Sequence, residues 1–348
     1  MGNWYKFNTR WRGLIKVKKV FIKDITYYLP THIVTNEEII KEFPEWSVDK
    51  IVDKVGVYER RTAIEETATD LAILASEKLF GKGLVNREDI DFVLFCTQSP
   101  DYKLPSSSCI IQDKLHLSTK CGAFDFNLGC SGYEYGLAVA KGLISAGIAS
   151  NVLLLTSETY NKYLHPRDKG NRTIFGDGAS ATVISTNGFA EIGDFCLGTD
   201  GSGAKNLIVK TNGARYPEKL NDLYYDEGGN PISSDYLFMD GQEIFIFTLL
   251  EVPKMVRDVL NKNKLFKENI DLFVFHQANK YMLEHLRKKI QIEESKFFMN
   301  LGNIGNTVSS TIPIALCDAR EQDLLKGNVL LAGFGVGLSW GGTVLRIR

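Results

Sequence analysis

The chain lacks a surplus of either charge: 41 Lys and Arg stand against 42 Asp and Glu, a formal net charge of -1 at pH 7. Nothing global therefore draws it to nucleic acid or to an anionic membrane, and an electrostatic partner has to be met by a local patch. Also missing is any uninterrupted apolar run near the roughly 18 residues that a membrane-crossing helix needs. The start has no apolar core of a secretory signal, so no transmembrane segment is expected and the expected location is the cytoplasm. The six cysteines, Cys96, Cys109, Cys121, Cys130, Cys196 and Cys317, show no short paired spacings. That argues against a disulfide framework or a zinc site and for reduced thiols; no metal is called for. Lys6 stands where a myristoylation signal needs Ser or Thr. The glycine-rich run from Ala332 to Gly342 has no Gly-Lys-Ser/Thr ending, which disfavours a P-loop.

What is present is an ordinary globular composition, 44% hydrophobic and 24% charged over 348 residues, with room for two domains or two fused halves. Residues 1–17 read as an N-terminal extension. Up to Lys19 the chain mixes Trp4, Tyr5, Phe7 and Trp11 with Arg and Lys, a pattern that suits a surface-lying segment or, as is usual for chain ends, a poorly ordered one.

From Val20 strands and amphipathic helices alternate, the mark of an α/β fold. Apolar runs predict strands at 20–28, 91–98, 122–126, 151–156 and 179–185, and helical spacing predicts helices at 67–80, 106–115 and 131–146. A second round follows, with strands near 191–197, 272–276, 328–332 and 342–347 and helices at 241–261, 280–289 and 306–321. Two rounds of one order suggest an internal duplication. Between them, 201–235 is rich in Gly, Asn, Asp and Tyr and reads as a long surface excursion. Residues 166–178 read as a turn-rich entry in which Gly176 and Gly178 serve positive backbone angles or tight packing.

Three separated stretches carry chemistry: Asn127-Leu128-Gly129-Cys130-Ser131-Gly132, His276-Gln277-Ala278-Asn279 and Gly302-Asn303-Ile304-Gly305-Asn306-Thr307. Cys130 follows a strand and opens a helix, where the helix dipole and unpaired N–H groups favour thiolate. His276 ends an apolar strand, where side chains project into sites at the carboxyl edge of a sheet. Asn306 sits in a glycine-flanked turn before a helix, a setting equally ordinary for a cap. Singly each is as readily structural. Together they supply a thiol, an imidazole and a carboxamide, the set that carries an acyl group on sulfur and lets a carbon nucleophile attack it. The turn around Val336 suits a backbone N–H serving as half an oxyanion hole.

In this order and spacing the motifs resemble the thiolase-fold condensing enzymes, most closely the class III β-ketoacyl-acyl carrier protein synthases. The resemblance runs from about Lys18 to Arg348 and includes Gly56-Val57-Tyr58-Glu59-Arg60-Arg61, Ile174-Phe175-Gly176-Asp177-Gly178-Ala179 and Met239-Asp240-Gly241. It implies a thiolase fold, two duplicated α/β halves (18–186 and 187–348) packed as a five-layered α-β-α-β-α structure, and a homodimer. It implies that Cys130 accepts the acyl starter, that His276 and Asn306 stabilise the enolate from malonyl carrier protein, and that the N–H groups of Cys130 and Val336 form the oxyanion hole. Leu104 falls where the family lines the partner subunit's acyl pocket, and Gly241, Phe245 and Asn279 fall around the pantetheine channel. Lys280, Arg287, Lys288 and Lys289 offer a basic face for acyl carrier protein, or else a solvated helix face. The substrates implied are acyl-coenzyme A or acyl-carrier-protein starters and malonyl carrier protein, with no cofactor.

The departures are local. Lys50 and Lys169 stand where the family sandwiches the coenzyme A adenine between tryptophan and arginine, Lys54 replaces a nucleotide-contacting arginine, and Tyr281 replaces a docking arginine. Lysine keeps charge for phosphate but cannot stack on adenine, so weaker coenzyme A binding and a carrier-borne or specialised starter are expected. Two other readings stand beside condensation: acyl transfer or non-decarboxylative condensation, and a non-catalytic subunit that binds acyl carrier protein.

Overall fold

The computed structural model describes residues 18–348, and the extension expected over 1–17 lies outside them. The main sheet has eleven strands: β1 (Phe21–Tyr28), β2 (Phe92–Cys96), β3 (Gly122–Phe126), β4 (Asn151–Glu158), β5 (Gly178–Ser185), β6 (Ala190–Ile192), β7 (Cys196–Thr199), β8 (Leu272–Phe275), β9 (Phe297–Phe298), β10 (Asn328–Gly335) and β11 (Ser339–Ile347). They line up as β9-β8-β10-β11-β6-β1-β5-β4-β2-β3, with β7 also paired to β11. The order repeats. Among β1 to β5, β2 runs parallel to β3 and β4, while β5 is antiparallel to β4 and β1. Among β7 to β11, β8 runs parallel to β9 and β10, while β11 is antiparallel to β10 and β7. Short β6 bridges the two units by pairing with both β1 and β11.

Alternation along the strands assigns the layers, because successive side chains face opposite sides of a sheet. Leu94, Leu154, Val274, Val329 and Leu331 face a central layer made by helices Gly132–Ser145 and Thr311–Glu321, which contribute Leu137, Ile144, Ile312 and Leu316. Val93, Phe95, Leu153 and Leu155 point the other way, against Leu71 and Ala75 of helix Ala68–Phe80 and Ile111 of helix Ser107–Lys114. Phe273, Phe275 and Leu330 pack under helices Gly241–Lys262 and Lys280–Ile290. The result is the five-layered α-β-α-β-α thiolase fold. Sheets covered on both faces explain why these strands read as continuous apolar runs.

Three expectations need correction. The strand expected near 191–197 is two strands, β6 and β7, which pair with different parts of β11. The helix expected from Asn306 starts at Thr311: the Asn306 side chain accepts the Val308 N–H at 2.8 Å, and Val308 sits at φ 56°, which no right-handed helix admits. The excursion 201–235 is broken by a 3-10 turn and short strands, among them the hairpin Tyr224–Tyr225 with Pro231–Ile232.

Candidate active site

The chemical side chains gather at the carboxyl ends of strands, where chain crossovers leave room for a site. Cys130 follows β3 and precedes helix Gly132–Ser145; Asn306 follows β9 and precedes helix Thr311–Glu321. They occupy the same junction in the two repeated units. His276 directly follows β8, and its counterpart junction after β2 carries Gln98.

The backbone N–H groups of Val336 and of Cys130 itself favour the thiolate of Cys130. A hydroxyl relay ties the two loops together. Ser339 donates to the Val336 carbonyl at 2.8 Å, which leaves its oxygen to accept from Ser131 at 2.7 Å. Gly335 gives the room: a Cβ there would lie 2.8 Å from the Cys130 sulfur. Contrary to the helix-start expectation, the thiol is pushed up to about 12. Burial is the main cause and the Glu158 carboxylate the second, and together they outweigh the two N–H donors.

His276 is held by its Nδ1, 2.7 Å from the Thr311 hydroxyl, and its ring meets Phe334 edge-on at 5.5 Å. Burial carries it down to about 3, so the ring is neutral in ordinary solution. Asn306 is clamped by the first half: its N–H donates to the Ile174 carbonyl at 2.9 Å and its carbonyl accepts from the Gly176 N–H at 3.0 Å. A side chain at Gly176 would collide with the Ile304 carbonyl, which is why the entry segment ends in glycine there. Because Asn306 Oδ1 is taken by the Val308 N–H, Nδ2 turns inward, 3.3 Å from the Ala278 carbonyl and 3.5 Å from His276 Nε2. The result is a buried thiol with converging N–H groups and a buried, neutral imidazole-carboxamide pair.

Two carboxyl groups near the thiol escaped sequence reasoning. Glu158 ends β4 fully buried, accepting from the Gln98 N–H at 3.0 Å, the Ser99 hydroxyl at 2.9 Å and the Ser309 hydroxyl at 3.1 Å; burial pushes it up to about 8. A polar residue closing an apolar strand, the signal that marked His276, marks it too. Glu134, in the first turn of helix Gly132–Ser145, is buried against Gly333 with no hydrogen-bond partner among the described residues, and burial raises it well above the carboxylate range.

Family models for 3-oxoacyl-[acyl-carrier-protein] synthase III match residues 124–201, and its C-terminal region matches 260–347. A β-ketoacyl-[acyl-carrier-protein] synthase III of Clostridium perfringens is 36% identical over 92% of this chain and 97% of its own. This chain belongs to that family. A crystal structure of a 3-oxoacyl-(acyl-carrier-protein) synthase III superposes with TM-score 0.92 at 48% identity, covering 94% of this chain and all of its own. The Burkholderia xenovorans 3-oxoacyl-(acyl-carrier protein) synthase gives 0.87 at 36%, over 95% of each chain.

The outlying positions of this synthase III chain cluster around helix Lys280–Ile290. Asn279 caps that helix through the Met282 N–H at 2.8 Å, and Phe245 packs on its Tyr281 and His285. Gly241 opens helix Gly241–Lys262 and lines a cavity of about 280 Å³ with Asp168 and Asp226. Lys50 and Lys54 lie on the neighbouring helix Val48–Val55, and Lys50 stands 5.0 Å over the Trp46 ring. Lys169 is engaged by Glu45 at 3.0 Å and the Gly228 carbonyl at 3.2 Å. Leu104 is 82% exposed and belongs to a separate surface. Lys280, Lys288 and Lys289 are exposed. Arg287 differs from them, since Glu284 at 2.8 Å and Glu294 at 3.6 Å spend its charge within the chain.

Proposed function

We propose that the chain loads an acyl starter onto Cys130 and condenses it with malonyl-acyl carrier protein by decarboxylative Claisen condensation. The carrying observation is the buried, neutral His276-Asn306 pair, with Cys130 in the apolar cluster that holds the neighbouring Phe275, Ala278 and Val308. In loading, the sulfur attacks the thioester carbonyl, the N–H groups of Cys130 and Val336 receive the oxyanion, and the thiol proton leaves with the departing thiol. In condensation, the malonyl carboxylate departs as carbon dioxide and its bonding pair passes to the thioester oxygen as an enolate. That oxygen needs hydrogen-bond donors, not a base. Asn306 Nδ2 is one. His276 Nε2 is the other once the ring takes the tautomer with hydrogen on Nε2, its Nδ1 then accepting from the Thr311 hydroxyl, which otherwise donates to the Val308 carbonyl at 3.1 Å. The carbanion then attacks the acyl group and releases the Cys130 thiolate, which is reprotonated.

The two halves, 18–186 and 187–348, thus divide the labour, the first holding the nucleophile and the second the enolate donors. The family's dimer is supported by exposed Tyr102, Leu104 and Phe124 beside β3, an edge strand of the main sheet. Carrier docking rests on Lys280, Lys288 and Lys289. Lys169 bound to Glu45, and Asp168 and Asp226 at the cavity by Gly241, favour a carrier-borne pantetheine over the anionic nucleotide of coenzyme A. Reduced thiols fit the cytoplasm.

The test is intact-protein mass spectrometry with a panel of acyl-coenzyme A and acyl-carrier-protein donors, coupled to carbon dioxide release from malonyl carrier protein. Cys130→Ala is expected to abolish the acyl adduct with its fold intact. Asn306→Ala is expected to keep acylation and lose decarboxylation. Loss of acylation in Asn306→Ala overturns the division of roles.

A further inference from the structure

A cavity of about 400 Å³ has Val336, whose N–H favours the Cys130 thiolate, in its wall. Its lining joins apolar Leu207 and Leu237 to polar Thr211, Asn212, Gln98, Asn127 and Tyr160. A Cβ on Gly129 would meet Val336 at 2.5 Å and the amide oxygen of Gln98 at 2.6 Å, so the Gln98 side chain lies against the residue that precedes the nucleophile. Gln98 is pinned there. Its N–H and carbonyl are bound by Glu158 and the Tyr163 hydroxyl, Oε1 accepts from the Tyr160 hydroxyl at 2.5 Å, and Nε2 donates to Asn127 at 3.0 Å.

The hydrogen count leaves a defined remainder. A primary amide has two hydrogens on nitrogen. Half-buried Gln98 uses one at Nε2, and exposed Asn127 uses neither at Nδ2 among the described residues, so water fills these places until a ligand displaces it. Tyr160, only 3% exposed, gives its hydrogen to Gln98 and keeps a phenol oxygen that accepts. The wall therefore offers amide donors beside a phenolic acceptor. An alkyl chain would desolvate both without replacing them, a keto group has no hydrogen for the phenol, and an ammonium has no lone pair for the amides. A hydroxyl both accepts from an amide and donates to the phenol.

Resting on the reading of Cys130 as the acylated residue, we propose that the starter is a hydroxyacyl group, its hydroxyl recognised by Gln98, Asn127 and Tyr160. The same wall selects against branched and straight alkyl starters of equal size.

The test uses N-acetylcysteamine thioesters, which bypass either carrier, in isosteric pairs: glycolyl against propionyl, and 3-hydroxybutyryl against isovaleryl. Acyl transfer to Cys130 is followed by intact-protein mass. In the native protein the hydroxylated member of at least one pair is expected to load about tenfold faster or more. In Gln98→Met, which keeps volume and removes both polar atoms, the ratio is expected to fall to about one. Tyr160→Phe, which removes a single oxygen, is expected to lower it as well. A ratio taken within one protein cancels any general loss of activity. Alkyl members that load as fast or faster in both pairs overturn the hydroxyacyl proposal and leave the condensing reading standing. No adduct from any thioester, on native protein or Cys130→Ala, overturns both.

Discussion

Replacing Glu158 with Gln keeps the shape of the group that Gln98, Ser99 and Ser309 surround and removes its titration. The carboxyl is raised from an ordinary value of 4.5 to about 8, with burial as first cause. At about 1.4 kcal/mol per pH unit, that separation corresponds to a contribution on the order of 5 kcal/mol. Its sign follows from which state holds the proton. Below 4.5 both do, and the contribution is fully present. Between 4.5 and about 8 the unfolded chain ionises while the folded one stays protonated, so stability falls as pH rises, and above about 8 the loss is complete. Denaturant unfolding of the two proteins from about pH 5 to 9 is expected to show the native protein losing stability relative to Glu158→Gln, by up to ~1.4 kcal/mol per pH unit. Asp177, raised by burial to about 6, is common to both, and its charge adds to the raising of Glu158 in the native protein alone. The thiol supplies a second reading. The Glu158 charge is the second cause of the raised Cys130 thiol, and that charge exists only above about pH 8. Alkylation of Cys130 by iodoacetamide is therefore expected at equal rates in the two proteins at pH 7 and several-fold faster in the variant at pH 9. Parallel stability curves together with a pH-independent alkylation ratio would refute the assignment of a protonated Glu158.

Gly335→Ala places a methyl 2.8 Å from the nucleophilic sulfur; acylation followed by mass is expected to slow about 100-fold, with a stability loss of ~1–3 kcal/mol in denaturant. Gly142, inside helix Gly132–Ser145, is the opposite case, since a methyl added there would meet nothing within 4 Å. Gly142→Ala is expected to gain about 0.5–1 kcal/mol in the same assay and leave acylation unchanged. Lys288→Glu with Lys289→Glu is expected to raise the KM for malonyl carrier protein about tenfold and weaken its salt dependence, while loading from N-acetylcysteamine thioesters stays the same.

The periodic elements were legible because apolar side chains alone set them: β3 falls on 122–126 as read, and helix Ala68–Phe80 within one residue of its expected start. Thr67 shows why that start was sharp, since it forms a capping box with Asp70. Where a long-range contact decides, the local pattern misled. Cys196 and Leu197 look continuous with Ala190–Ile192, but Gly193 sits where a side chain would collide with Asn263, and the chain breaks there to pair again further along β11. At the site, Cys130, His276 and Asn306 were readable from residue type and from strand and helix boundaries. The ionisation of Cys130 was not, because its main determinants, burial by other elements and a carboxylate on β4, lie far from it in the sequence.

The repeated topology accounts for the construction of the site. Each unit sends its third strand into a junction that leads to a central helix, and these two helices share one apolar cluster between the two units of the main sheet. The junctions therefore face one cleft, and a duplicated chain acquires two chemically independent copies of one position. One copy became a thiol, which has to be small-walled and approachable, and glycine at 129 and 335 meets that need. The other became an amide whose orientation has to be fixed, and there the backbone of Ile174 to Gly176 from the opposite half holds Asn306 on both sides. The same duplication puts His276 and Gln98 at corresponding junctions after the second strand of each unit, His276 directly and Gln98 one residue further on. One lies beside Asn306, the partner with which it would steady an enolate; the other lies against the residue preceding the nucleophile. At this position the enolate chemistry we propose rests on the second copy, and the proposed choice of starter on the first, where Gln98 makes no hydrogen bond to His276 or Asn306.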